Sequence, residues 1–131
     1  MQQRSANKMA FPLQWTNSVC SHPLHNLGEN IDKQIGTKKA AIRRISDELN
    51  LKEDIQGLCL VDKIYYTAVA NEFFSESEID YIYLYRRTFD SDLIDFNKRE
   101  INDIAWVGRQ DFDQFIKDKL NKNESFTPWF E

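Results

Sequence analysis

The sequence predicts a mixed α/β sandwich, and three observations carry that expectation. Residues 38–49 place Ala41, Ile42, Ile45 and Leu49 at the spacing of one helix face. Residues 58–68 and 76–86 are rich in Tyr, Ile and Val and read as a hairpin-like pair of strands. A second helical stretch follows at 112–120. A helix between extended segments, then paired strands and another helix, is the element order of a layered α/β domain.

Taken in order, residues 1–14 are mostly polar and offer almost no apolar pattern, and they open onto an extended segment around 14–19. Residues 21–37, punctuated by Pro23, Gly28, Asn30 and Gly36, read as a long loop with Thr37 as the helix cap. Asn50 is an acceptable helix stop because its short side chain tolerates the left-handed conformation. Residues 69–75 connect the two strands, and 104–107 is a short strand candidate. The chain closes at 126–130 on an aromatic knot, Phe126-Thr127-Pro128-Trp129-Phe130. Both ends read as cut rather than finished.

The 131 residues fit one domain, 1–131. An aromatic share of 13% is enough to fill its core without disulfides. With only Cys20 and Cys59, a disulfide framework is not expected, and a reducing compartment fits. A net charge of −4 argues against a general nucleic-acid or anionic-membrane surface, so an anionic ligand must be held by a local group of cations. No apolar run approaches the roughly 18 residues of a membrane span. The start lacks an apolar leader and the end lacks a Ser-Lys-Leu tripeptide, so the cytoplasm is the expected location.

Two constellations carry chemistry. Glu76, Glu78 and Asp80 share one face of a strand, opposite Ile79, Tyr81 and Tyr83, and three like charges in a row call for a divalent metal or a raised acid. The plainer alternative is a solvated edge strand. Upstream, Cys20 and His22 stand two residues apart in a polar segment bounded by Pro23, where each alone reads as structural but together they pair a thiol with an imidazole. Arg44 and Glu48, at i, i+4, make either a surface ion pair or an arginine for phosphate and a carboxylate for phosphate-bound Mg²⁺. Arg4 and Lys8 add cations, and Trp129 is either a core plug or a π-face for a cation.

The motifs Trp15-Thr16-Asn17, Cys20-Ser21-His22-Pro23-Leu24, Ala40-Ala41-Ile42-Arg43-Arg44, Glu76-Ser77-Glu78-Ile79-Asp80-Tyr81-Ile82 and Thr127-Pro128-Trp129-Phe130, in this order and spacing, strongly resemble type 1 isopentenyl-diphosphate isomerases of the Nudix superfamily. The resemblance implies a mixed β-sheet sandwiched between helices, here lacking the family's N-terminal strands and its C-terminal helix. It implies isomerisation of isopentenyl to dimethylallyl diphosphate through a tertiary carbocation, in isoprenoid biosynthesis. On it, Cys20 is the catalytic thiol, Glu78 the acid/base on the opposite face, Tyr66 a hydrogen-bonding neighbour and Trp129 the ring against the cation. His22, Glu76 and Glu78 ligate a divalent metal, Zn²⁺ or Mn²⁺, and Glu48 binds the Mg²⁺ on the substrate diphosphate. Arg4, Lys8, Ser21 and Arg44 bind the substrate. The implied partner is a small isoprenoid diphosphate and the implied state a monomer, with neither nucleic acid nor membrane involved.

The hydrolase box is degenerate here, reading Arg43-Arg44-Ile45-Ser46-Asp47-Glu48, which weakens a nucleoside-diphosphate hydrolase reading. The family's two further histidine ligands and a phosphate-binding lysine precede the first residue of this chain, and His25 matches no ligand. A non-catalytic remnant that binds metal and diphosphate is therefore the competing expectation.

Overall fold

A computed structural model describes residues 1–88 and 94–130. Its strands are β1 (Gln2–Arg4), β2 (Trp15–Thr16), β3 (Leu58–Val69), β4 (Ser75–Tyr85) and β5 (Ile101–Ile104). Its helices are α1 (Lys33–Leu49) and α2 (Phe112–Asn121). Short 3₁₀ turns lie at His25–Leu27, Ile55–Gly57, Arg109–Asp111 and Pro128–Phe130. The mixed helix-and-strand class is as the sequence predicts. The chain divides into two compact units: Met1–Ser18 with Thr67–Glu76 and Lys98–Glu131, and Val19–Tyr66 with Ser77–Asn97.

The first unit is built on a three-stranded sheet in the order β2-β1-β5. Its central strand comes from the stretch that the sequence leaves without pattern. Gln2 and Gln3 pair antiparallel with Thr16 and Trp15, and with Ile104 and Asp103 on the other side. A strand bonded along both edges is held by backbone ladders and needs no apolar alternation of its own. β5 starts three residues earlier than expected, because the buried residue is Ile101, at 0% exposure, while Trp106 faces solvent. Phe126 extends this sheet by a parallel bridge to Trp15.

The core of this unit is aromatic. Trp15 is fully buried, with its ring edge-on to Phe115 of α2 at 5.3 Å. Phe126 stacks on Phe130 at 5.2 Å, and Phe11 meets Trp129 edge-on at 5.4 Å. The expected aromatic knot is present. In the hairpin connection between β3 and β4, Asn71 Oδ1 accepts the backbone N–H groups of Phe73 and Phe74, closing the turn.

The second unit holds α1 and most of the β3–β4 hairpin, a two-stranded sheet. α1 begins at Lys33, five residues before the predicted start, and its cap is Asp32 rather than Thr37. Asp32 Oδ1 accepts from the N–H groups of Gln34 and Ile35 at 3.0 and 2.9 Å. Thr37 lies inside the helix with its hydroxyl 2.7 Å from Tyr83 Oη. Gly36 hides the early start, since glycine weakens a helical pattern. Its place is fixed by packing, because a Cβ there would lie 1.7 Å from the Glu29 carbonyl oxygen. Asn50 ends α1 in the left-handed conformation, φ 54°, as expected.

Candidate metal and thiol site

The segment that carries Cys20 and His22 has no strand or helix of its own and is tied to α1 by side chains. The Ser21 hydroxyl donates to the Ala40 carbonyl at 3.0 Å. Arg43 donates through Nε and Nη2 to the two oxygens of Glu29, both at 3.0 Å, and Nη2 also reaches the His22 carbonyl at 3.1 Å. Glu29 in turn accepts the Leu24 N–H at 2.8 Å. Glu29 is buried, and the Arg43 guanidinium against it holds its carboxyl below the usual range, helped by the Leu24 N–H and opposed by burial. Cys20 is half-buried and forms no disulfide.

β4 supplies the carboxylates. Glu76, Glu78 and Asp80 are half-buried while Ser77 and Ile79 between them are exposed, so this strand turns its acids inward. His22 Nε2 lies 3.2 Å from Glu78 Oε1. Glu76 stands two residues before Glu78 on the same face of β4. Two ligands about 2.1 Å from one ion stand at most about 4.2 Å apart, so His22 and Glu78 at 3.2 Å are within reach of a single divalent cation. An imidazole with two carboxylates is a donor set that suits Zn²⁺ or Mn²⁺.

On α1, the Arg44–Glu48 pair is not the surface pair that its spacing alone suggests. Glu48 is 2% exposed, and Arg44 Nε donates to its Oε1 at 3.0 Å. Tyr66 is half-buried on β3. His25, set aside in the sequence, bonds to Asn30 through Nδ1 at 2.7 Å in a 3₁₀ turn.

No family model matches the chain. Among curated proteins, it is 35% identical over 138 residues to "Isopentenyl-diphosphate delta-isomerase IDI1" of Gibberella zeae, a match covering 100% of this chain and 52% of that protein. To "Isopentenyl-diphosphate Delta-isomerase 1" of Mus musculus it is 34% identical over 135 residues, covering 100% and 58%. To "Isopentenyl-diphosphate Delta-isomerase" of Dictyostelium discoideum it is 34% identical over 137 residues, covering 99% and 56%. Over its whole length the chain is similar to isopentenyl-diphosphate delta-isomerases. It spans about half the length of the curated relatives it matches.

Trp129, Arg4 and Lys8, which the resemblance singled out in the sequence, lie in the first unit. Trp129 Nε1 donates to Thr16 Oγ1 and Asn17 Oδ1 at 3.0 and 3.1 Å, and the Arg4 guanidinium stands 5.6 Å from its ring centroid. Arg4 also donates to the carbonyls of Ala10 and Phe11 in the loop that follows β1. Lys8 is ion-paired with Glu100. The sequence reading did not single out Arg43 and Glu29, which tie the His22 segment to α1. Arg43 lies within a recognised motif but was read only as part of the box. Nothing in a polar loop marks Glu29 as buried.

Proposed function

We propose that the chain provides the site of an isopentenyl-diphosphate delta-isomerase. The observation that carries this reading is the contact of His22 Nε2 with Glu78 Oε1 at 3.2 Å, two residues along the chain from Cys20. The reaction moves a carbon–carbon double bond. Its π electrons take up a proton, a new C–H bond forms, and a tertiary carbocation remains. A base then removes a proton from the carbon two positions away, and that C–H pair becomes the new double bond.

Cys20 and Glu78 are the two proton-transfer groups in this reading, with Tyr66 bonded nearby. Positioned groups of this kind contribute about 10²–10⁴-fold each. A divalent ion held by His22, Glu76 and Glu78 supplies positive charge that lets two carboxylates share one face. Trp129 offers its π-face to the cation, and the attraction of that ring for the Arg4 guanidinium supports this role. Arg4, Lys8, Ser21 and Arg44 bind the diphosphate, and Glu48 binds its Mg²⁺. Because Arg44 holds Glu48 and Lys8 holds Glu100, substrate entry exchanges these ion pairs for phosphate contacts. Among the described residues no helix is long and apolar enough to cross a membrane. We infer a cytoplasmic monomer acting on a small isoprenoid diphosphate, without nucleic acid or membrane.

The same engaged cations favour one second reading, a non-catalytic remnant that binds metal and diphosphate. The test is allylic product formation from isopentenyl diphosphate with Mg²⁺ and Zn²⁺ or Mn²⁺, with Cys20→Ser as the blank. Product that disappears in the blank supports the isomerase. A folded protein that binds metal and yields no product supports the remnant, and release of phosphate from nucleoside diphosphates would point to a hydrolase instead.

A further inference from the structure

The His22 side chain is 64% exposed, so no core fixes its ring. What sets its direction is the backbone beneath it, and that backbone is held by charge. We propose that Arg43 and Glu29 are positioning residues for His22, a clamp that fixes residues 22–29 on α1 and aims the imidazole at Glu78. This deepens the isomerase reading, and the clamp acts whether or not an ion is bound.

Three observations in the second unit carry the inference. Arg43 reaches two targets with one planar group: both oxygens of Glu29 and the carbonyl of His22 itself. Glu29 passes the tie onward to the Leu24 N–H at 2.8 Å, and its own N–H donates back to the Leu24 carbonyl at 3.2 Å. The Glu29 backbone sits directly on the bare Cα of Gly36, so this end of the segment is set by backbone contact with α1. The ligand candidate is thus bracketed, with a guanidinium on its own carbonyl and a buried carboxylate on the N–H of the residue two positions beyond. Lysine keeps the charge but cannot make the fork, because its ammonium is a single point donor.

The test uses metal-free protein first. Wild type, Arg43→Lys, Glu29→Gln and the charge control Lys39→Ala are compared by hydrogen exchange at the Leu24 amide and by the imidazole NMR signals of His22. Glu78→Gln supplies the signature of a His22 released from its partner. Arg43→Lys is expected to speed Leu24 exchange by about tenfold or more and to move the His22 signals toward that signature. The amides of α1 and the Lys39→Ala protein should stay as in wild type. Glu29→Gln, which keeps shape and the Arg43–His22 bond, should show a smaller change in the same direction. Cobalt(II) titration of the same proteins then reads the metal site, where loss of a supporting contact typically costs 10–100-fold in affinity.

Unchanged His22 signals and Leu24 exchange in a folded Arg43→Lys protein overturn the proposal. So does equal Co²⁺ affinity in wild type and variant, or a collapse of α1 in both variants, which would make the pair a folding element only. If wild type binds no Co²⁺ but Arg43→Lys still releases His22, the clamp stands and the metal reading fails.

Discussion

The two units hold their candidate functional side chains by different physics. In the first, Trp129 is anchored by neutral groups: its N–H meets Thr16 and Asn17, the Thr127 hydroxyl bonds Thr16 at 2.9 Å, and both threonines are fully buried. In the second, the His22 segment is tied to α1 by the Arg43–Glu29 ion pair, and the imidazole meets Glu78 of β4. Packing and neutral hydrogen bonds respond little to salt or mild acid, whereas ionic ties respond to both. The comparison therefore predicts an aromatic end that fails only with its core and an imidazole that can be released while its helix survives.

The strongest way to break the comparison is to empty the first unit's core. Trp15→Ala removes a fully buried ring that packs on Phe115 and whose N–H bonds Glu124, and it should destabilise by about 3–5 kcal/mol. Urea denaturation followed by circular dichroism measures this. A loss under about 1 kcal/mol would mean that packing does not hold this unit. Next comes Gly36→Ala in the second unit. Elsewhere in a helix this change stabilises, but here the new Cβ meets backbone at 1.7 Å, and the strain should cost about 1–3 kcal/mol. A neutral or stabilising result would show that the Glu29 backbone can move away freely.

These two sites also mark where the sequence was legible. Strands β3 and β4, helix α2 and the stop at Asn50 carry their signal in local pattern, and they were read within a residue or so. The start of α1 was misread because Gly36 and Thr37 look like loop and cap, while the true cap, Asp32, lies behind them. Strand β1 was invisible because Gln-Gln-Arg is strand only by virtue of partners at Trp15–Thr16 and Ile101–Ile104, far away in sequence. Of the site, the motif residues His22 and Glu78 were readable, and they lie 3.2 Å apart. Arg43 and Glu29 were not, since the pairing of a loop carboxylate depends on an arginine fourteen residues later along the chain.

A smaller effect sharpens the neutral half of the comparison. Thr16→Val keeps shape but removes the acceptor shared by the Thr127 hydroxyl and the Trp129 N–H. Trp129 retains Asn17, so the cost falls mainly on Thr127, at about 1–2 kcal/mol. The same denaturation experiment reads it, and the loss should be unaffected by 0.5 M salt. A salt-dependent loss would move this site into the ionic class.

The smallest expected effect lies in acid, where each unit offers one carboxyl held below its usual range. In the second unit the cause is Arg43 beside Glu29, and in the first it is the Trp15 N–H bonded to Glu124, with Lys119 adding to it. A carboxyl lowered by folding contributes stability that is fully present above its unfolded value, near 4.5, and is lost as pH falls through its lower folded value. Both units should therefore weaken only below about pH 4.5. Glu29→Gln should flatten the acid dependence of Leu24 amide exchange and leave that of the Trp15 indole N–H signal intact, and Glu124→Gln should do the reverse. If either variant flattens both signals, the two regions titrate as one body, and the division between a neutral and an ionic mode of support is wrong.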